Sequence, residues 1–579
     1  MANKTKLLQE PTPAGEGIAR VFEQVGIDMV FGIQGGNMGR LYDALYDHQD
    51  TVRCVLVRHE QLASVMAEVY GRLTGKPGVC IGQGIFMLAN AFLGTLEAHL
   101  GSSPMLFLTD FSDVAPFAQH APYQSGRGEY GSADTRNALA AITKQTLTAL
   151  TPTEAVHAVQ LGVKHALSGE RGPVAIVFNS NAFLGGPIDP AKRPFLYDTA
   201  AYLPAKLPGD PASVAAAADA LRAAERPVII AGNGVRISQA YDALAALAHQ
   251  FGAPVATTAS GKGVIAETHD WALGTCGNFG QATANAYIGA ADLVLAVGTR
   301  LGPADTTNEN PALIDPARQT LIQIDIEPKN ASWTYPCDTV VIGDAALVLR
   351  QITEAVDAAG APSADAVAAR KAALDATREE HGFFADPLYD SDAVPIMPPR
   401  LFKELHRVMA DDALVTCDAG ENRLFMTHFF QTKGPGSLLM PGIGAMGYAV
   451  PAALAGKLVF PDRQVIAVTG DGGFSMAMNG IMTARDENIP IVVVVLNYSA
   501  LGWVKHGQGN RTINSSFSDM NFADVAKAIG VNGIRVEQPA AIAGAIEEAL
   551  AARKPTVVDV VTAFDGLSFR YVTAALAQS

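Results

Sequence analysis

The chain reads as an α/β protein of three doubly wound parallel-sheet domains, and three observations lead there. Short apolar runs alternate with stretches long enough for helices along all 579 residues, the rhythm of repeated strand–helix–strand units. Several runs are apolar at every position, as in Val465-Ile466-Ala467-Val468, which marks a strand covered on both faces. The rhythm lapses at 185–208, where Pro187, Pro190, Pro194, Pro204 and Pro208 fall, and again at 386–399. Proline interrupts helix in both places.

In the first third, strands are expected at residues 29–32, 52–56, 78–82, 105–109 and 174–178, with helices near 59–73 and 89–100. The middle third repeats the pattern with strands at 227–232, 254–258, 292–297 and 320–326, then an Ala-rich helical stretch over about 344–378. The last third places strands at 413–416, 464–469, 491–496 and 556–561. The expected domains are 1–185, 205–355 and 385–579. Units this long are not solenoid repeats; they read as duplicated domains with different chemistry in the first and third.

The composition, 49% hydrophobic and 17% charged, allows large cores and excludes global disorder. A formal charge of −15 argues against nucleic acid or an anionic membrane as partner, since both need a basic face. Five scattered cysteines without a C-x-x-C give no disulfide framework and no zinc spacing. The first residues lack the apolar core of a signal peptide, so a cytoplasmic location is expected. Charge-free stretches at 79–96 and 438–456 are rich in Gly, Ala, Asn, Gln or Pro. They read as buried turns leading into helices, not membrane spans.

The most informative segment is Gly470-Asp471-Gly472, followed after residues 473–496 by Asn497. Gly-Asp-Gly after a strand is commonly only a turn, with Gly supplying positive φ and Asp bonding its own backbone. Here both half-motifs follow buried apolar runs. One carboxylate and one amide therefore stand at the C-terminal ends of two parallel strands, where open α/β sheets bind ligands. Such oxygen donors suit Mg²⁺, which takes few protein ligands and completes its shell from phosphate and water.

The segment resembles the GDG-x(24–27)-N signature of thiamine-diphosphate enzymes. By that resemblance Asp471, Asn497 and the Ser499 carbonyl hold the Mg²⁺ that grips the cofactor's diphosphate. The likeness spans nearly the whole chain and is to the acetolactate-synthase group. Phe31-Gly32-Ile33-Gln34-Gly35-Gly36 resembles that group's FGIPGG turn, Arg58-His59-Glu60 its RHE, Asn90 to Gly94 its N-x-x-x-G, and Ile142-Thr143-Lys144 its ITK. Glu60 is then the activating acid, hydrogen-bonded to N1′ of the aminopyrimidine, a role that requires tightly held geometry. Asp418 to Asn422 resembles the D-x-G turn near the diphosphate, placing Gly420, Glu421 and Asn422 at the cofactor. Gly442 to Pro451 resembles GxGTMGFGLP, with Gly444 and Met446 at the cofactor rings; a flexible thioether suits a wedge between them. Gly35, Gly36, Asn90, Gly470, Gly472, Gly473, Leu501 and Gly502 complete the implied cofactor contacts, Gly472 and Gly473 through N–H groups at a helix start.

The sequence also departs from the group. Gln34 stands where the relatives usually carry Pro, and Gly82-Gln83-Gly84-Ile85-Phe86 replaces an SGPGATN-like turn. A DAFQE-like segment is missing, and residues 117–134, with His120, Tyr123, Gln124, Arg127 and Glu129, stand in its place. After Asn497, Trp503 replaces a Met, and Gly507 stands where acetolactate synthases carry Trp. These changes make Gln34, Gln83, His120, Gln124, Trp503 and His506 candidate substrate contacts, with a solvated helix face as the alternative for His506.

In the middle third, Ala231 to Val235, Gly298 to Leu301 and Ile324 to Ile326 resemble turns that hold FAD in acetolactate synthase, or ADP or nothing in relatives. FAD is one alternative and an empty crevice another, because glycine-ended strands are generic to nucleotide folds. The resemblance implies cleavage or formation of a C–C bond next to a carbonyl, with a 2-oxo acid, aldehyde or ketone as substrate. It also implies a homodimer or homotetramer whose active sites lie at subunit interfaces. A flavin-coupled 2-oxo acid oxidase and a catalytically silent cofactor-binding paralogue remain as alternatives.

Overall fold

The computed structural model describes residues 5–113, 124–129 and 131–567. These residues form three six-stranded, all-parallel sheets. The first contains β1 (Met29–Ile33), β2 (Arg53–Leu56), β3 (Gly78–Gly82), β4 (Met105–Asp110), β5 (Gln145–Ala149) and β6 (Pro173–Phe178). The second contains β7 (Pro227–Ala231), β8 (Val255–Thr257), β9 (Ala272–Thr275), β10 (Leu293–Val297), β11 (Thr320–Asp325) and β12 (Thr339–Ile342). The third contains β13 (Leu414–Cys417), β14 (Leu438–Leu439), β15 (Val465–Gly470), β16 (Val492–Asn497), β17 (Asn532–Val536) and β18 (Thr556–Val561).

The first and third sheets share one strand order: β2-β1-β3-β4-β6-β5 and β14-β13-β15-β16-β18-β17. The middle sheet differs, with β12-β11-β10-β7-β8-β9, an order built outward from a central pair as in dinucleotide-binding folds. The duplication read from the sequence thus relates the outer sheets, and the middle one is wound differently.

Every residue of β3, β4, β6, β7, β10 and β16 is buried, the pattern of strands covered by helices on both faces. Each sheet has its own apolar core, with Phe22, Leu106 and Ile176 in the first, Ile229, Phe251 and Leu295 in the second, and Phe402, Val468 and Val494 in the third. Two compact units result. One holds the first sheet together with Leu454–Val459 and Met482–Glu487, and the other holds the middle and third sheets.

Five strands lie outside the expected set, although β12 is a short apolar run, Val340-Val341-Ile342. β5, β12 and β17 lie at sheet edges and are only partly buried. An edge strand needs no apolar residue on its open side. β14 has two residues. β9 contains Gly274 at φ 85° and follows a register shift against β8, so its pattern is broken by a bulge. The expected helix over 344–378 divides into Ala345–Ala359 and Ala364–His381. The break is Gly360-Ala361-Pro362, where Gly360 takes φ 90° and Pro362 prevents its predecessor from continuing the helix.

The two charge-free stretches resolve as expected of turns. Residues 79–96 run through β3 and the helices Gly84–Asn90 and Phe92–Leu100. Residues 438–456 hold β14, a loop and part of the helix Ala449–Val459. Among the described residues no helix is long and apolar enough to cross a membrane.

Candidate functional site

The first sheet presents one carboxylate and its partner at the C-terminal ends of its strands. Glu60 opens the helix Glu60–Thr74, and the His59 side chain caps that helix by accepting from Gln61 N at 3.2 Å. Asn90 ends the helix Gly84–Asn90, and its Nδ2 donates to Glu60 Oε2 at 2.8 Å. The N-x-x-x-G spacing explains the meeting. A Cβ on Gly94 would stand 2.3 Å from Ser64 C and from Val65 N, so only glycine lets the two helices approach this closely. That approach brings Asn90 onto Glu60.

Around the turn after β1, Asp110 ties three loops together. Its Oδ2 accepts from Asn37 N at 3.1 Å and Asn37 Nδ2 at 3.0 Å, and its Oδ1 from Gly84 N at 2.9 Å. Burial pushes the Asp110 carboxyl above its usual range, against the pull of these donors. Gln83 lies over Gly35, its Oε1 2.6 Å from where a Cβ would stand, and its Nε2 donates to Gln124 Oε1 at 3.2 Å. Gln34 is exposed. His120 lies outside the described residues.

The third sheet builds a more constrained set. Asp471 begins the helix Asp471–Ala477 directly after β15 and is 3% exposed. Its Oδ1 accepts from Gly472 N at 2.7 Å, and its Oδ2 accepts from Tyr498 N at 3.1 Å and Ala500 N at 3.2 Å. Burial raises the Asp471 carboxyl pKa, partly offset by these N–H groups. Asn497, the last residue of β16, donates Nδ2 to Met520 O at 2.8 Å and to Asp559 Oδ1 at 2.9 Å. With the nitrogen occupied, the amide oxygen is the atom left to coordinate. Ser499 adopts φ 57°, and its carbonyl accepts from Phe517 N at 2.8 Å while keeping a second lone pair. A carboxylate, an amide oxygen and a backbone carbonyl form a hard-oxygen donor set that fits Mg²⁺.

Glycines shape the space beside this set. A Cβ on Gly472 would meet Leu501 Cδ2 at 2.9 Å, Met446 Cε at 3.0 Å and Phe517 Cε2 at 3.4 Å. Met446 and Leu501 thus converge on the turn that opens the Asp471 helix. Gly444 takes φ 75°, and Gly420 takes φ 70° before the helix Glu421–Phe429. Gly473 lies against Asp418, where a Cβ would come within 2.6 Å of Oδ1.

Two groups named from the sequence are engaged with protein atoms. Glu421 is 3% exposed, and its carboxylate pairs with His506 Nδ1 and with the Tyr498 hydroxyl. His506 also stacks on Phe564 with ring centroids 3.8 Å apart. His506 is therefore neither a solvated helix face nor a side chain projecting freely. Asn422 is buried, its Nδ2 donating to Val468 O at 2.9 Å, and its Oδ1 meets no donor. Trp503 packs edge-to-face on Phe279 of the middle segment, 6.2 Å between centroids.

The sequence reading missed two supporting acids. Asp418 Oδ1 accepts from Ala419 N at 2.9 Å and Gly447 N at 3.0 Å, and Oδ2 from Ala449 N at 3.1 Å. It thereby holds the loop that carries Met446. Asp559 is fully buried and accepts from Asn497 Nδ2, from Phe522 N at 2.9 Å and from Arg535 Nη1 at 2.6 Å. Its signal was available: a lone carboxylate inside the apolar strand Thr556–Val561 needs partners to be buried.

In the middle sheet the turns after β7 and β10 meet at the point where strand order reverses. Gly234 N donates to Gly298 O at 3.0 Å, and a Cβ on Gly232 would come within 2.3 Å of Gly298 O. Their glycines serve close backbone approach.

Comparison with known proteins matches this architecture segment by segment. Residues 13–125 match the N-terminal TPP-binding domain of thiamine pyrophosphate enzymes, 214–352 the central domain and 418–560 the C-terminal TPP-binding domain. The chain is 32% identical to a probable acetolactate synthase large subunit of Methanocaldococcus jannaschii, covering 94% of this chain and 91% of that one. The chain belongs to the thiamine pyrophosphate enzymes of the acetolactate-synthase-like family. Other relatives in this family include acetolactate synthase isozyme 3 large subunit of Escherichia coli, 29% identical over 93% of this chain and 92% of that one. Another is the putative thiamine pyrophosphate-containing protein YdaP of Bacillus subtilis, 27% identical over 97% and 92%.

Proposed function

We propose that this thiamine pyrophosphate enzyme depends on Mg²⁺ and decarboxylates a 2-oxo acid, joining the remaining fragment to a second carbonyl compound as an acetolactate-synthase-like carboligase. The observation that carries the reading is the donor set Asp471, Asn497 and Ser499 beside Gly472. Its amide nitrogen is occupied, so that oxygen alone is presented to a cation. The relatives named acetolactate synthase support the carboligation step.

In this reading Asp471, Asn497 and the Ser499 carbonyl hold Mg²⁺, and Gly470, Gly472, Gly473, Gly420, Leu501 and Gly502 line the diphosphate. Gly444 and Met446 support the rings, and Gly35, Gly36 and Asn90 flank the pyrimidine. Bound thiamine diphosphate would supply the electron sink for breaking or making a bond next to a carbonyl. Glu60 would hydrogen-bond the pyrimidine ring nitrogen, and Asn90 fixes the Glu60 rotamer through Oε2. Trp503 and Phe279 close apolar surface on the acceptor side and exclude water.

The domains 1–185, 205–355 and 385–579 then act as pyrimidine-binding, central and diphosphate-binding domains of a cytoplasmic enzyme. Each active site is completed by a second copy of the chain. Phe86 and Phe92, which flank Asn90, are each 40% exposed, and Met476 beyond the Asp471 turn is 56% exposed, apolar surface of the kind that interfaces cover. A screen of purified protein with thiamine diphosphate and Mg²⁺ against 2-oxo acids, following CO₂ release and carboligation products by mass spectrometry, tests the reading. Cofactor-dependent CO₂ release with a coupled product supports it. Reduction of a bound flavin would favour an oxidase, and no turnover despite bound cofactor a silent paralogue.

A further inference from the structure

Loops far apart in sequence meet at one place in the first sheet. Gln34 and Gly35 follow β1, Gln83 follows β3, and Gln124 belongs to the segment that replaces DAFQE. β1 and β3 are neighbours, while β2 lies on the other side of β1. Their C-terminal ends therefore form the switch point of this sheet, where doubly wound folds take ligands. Both turns there carry a carboxamide, Gln34 after β1 and Gln83 after β3.

The amides are not consumed by the fold. Gln83 Nε2 donates to Gln124 Oε1 at 3.2 Å, which fixes the Gln83 rotamer and directs its Oε1 over Gly35. Among the described residues Gln83 Oε1 receives no donor, and the exposed Gln34 side chain makes no hydrogen bond. One oriented acceptor therefore lies over Gly35, and the turn that carries Gly35 also carries the amide of Gln34. The carboxyls on the neighbouring loops already have partners: Asp110 takes Asn37 and Gly84, and Asp113 takes Ser180 N at 3.0 Å and Arg127 Nη1 at 3.4 Å. The surplus hydrogen-bonding capacity is neutral, and a hydroxyl, which donates once and accepts twice, matches it.

We propose that Gln83, held by Gln124 and assisted by Gln34, is a specificity element that selects a substrate bearing a hydroxyl group near its reacting carbonyl over an alkyl-only 2-oxo acid. This rests on the proposed function. The selection is asymmetric for a physical reason: a site built to hydrogen-bond a hydroxyl is left with unpaired polar groups when the analogue lacks it. An apolar pocket discriminates a single added hydroxyl poorly.

The test uses the full chain loaded with thiamine diphosphate and Mg²⁺ and a near-isosteric pair of probes, 3-hydroxypyruvate and 2-oxobutanoate. The expected result is kcat/KM favouring 3-hydroxypyruvate by about a hundredfold or more. In Gln83→Leu the preference falls to within about threefold, with the loss expressed mainly in KM for 3-hydroxypyruvate and cofactor affinity, read by calorimetry, unchanged. Gln34→Met, at an exposed position, narrows the ratio in the same direction and guards against misfolding of the half-buried Gln83 variant. A cofactor-loaded wild type that treats the two acids alike, including by processing neither, overturns the inference. So does a ratio that Gln83→Leu leaves intact. Failure to bind thiamine diphosphate and Mg²⁺ at all would instead overturn the proposed function beneath it.

Discussion

The loops at the C-terminal ends of the first and third sheets share a strand order but not a style of construction. In the third sheet, Asp471, Asn497, Asp418 and Asp559 each meet two or more partners, mostly backbone N–H groups or buried polar atoms. Their geometry is set before any ligand arrives. In the first sheet Glu60 is held by one amide, and Gln34 and Gln83 keep unspent hydrogen-bonding capacity. The difference teaches where variation is tolerated. The third region is over-determined, the construction that a bound cation and diphosphate would demand. A substrate pocket can change its side chains on an unchanged scaffold.

Four measurements can break or sharpen this comparison. The largest effect is expected at Glu60. Glu60→Gln should lower turnover by about 10²–10⁴-fold, followed by CO₂ release, while calorimetry still shows cofactor and Mg²⁺ binding. Equal loss of binding would show that the first region is as integral to cofactor capture as the third. Next comes Asp559→Ala, which takes the acceptor from Phe522 N and one of two from the Asn497 amide, while Arg535 keeps Glu537 and Asp519. It should cost about 1–3 kcal/mol in denaturant unfolding and weaken Mg²⁺ binding without touching the metal. A loss below about 1 kcal/mol would mean that the third region is not over-determined.

Gly502→Ala probes close packing in the same region, since its Cβ would lie 2.1 Å from Glu421 Oε2 and 2.5 Å from the Tyr498 hydroxyl. It should destabilise by about 1–3 kcal/mol, read as a lowered Tm. The smallest effect is pH dependence from His428, whose pKa burial depresses to about 3 from 6.5. Because the folded value is depressed, the unfolded chain binds the proton first, and stability present above pH 6.5 is lost as pH falls. From pH 7.5 to 6 the loss should be about 1 kcal/mol, and it should disappear in His428→Phe. Stability that is flat over this range would show that His428 is hydrated.

The legible features were those with a local signature. β3, β4, β7, β10, β15 and β16 stand out as apolar runs because both faces are covered. The motif around Asp471 and Asn497 stood out because glycine and polar residues at strand ends interrupt those runs. The edge strands β5 and β17 did not, because one open side relaxes the demand for apolar residues, and β12 is only four residues long. Glu421 and His506 could be flagged but not paired. They lie 85 residues apart, and no periodicity links positions brought together by different loops.

The sequence by itself determined the α/β class, the family and the positions of the polar residues at strand ends, since each depends on neighbours along the chain. Only the tertiary structure decided which of those residues meet. The closeness of the Gly94 and Ser64 backbones brings Asn90 to Glu60, and Asp559 holds the Asn497 amide by its nitrogen. Such pairings depend on how separate strands register and how closely helices cross, and those are properties of the packed chain rather than of any one segment.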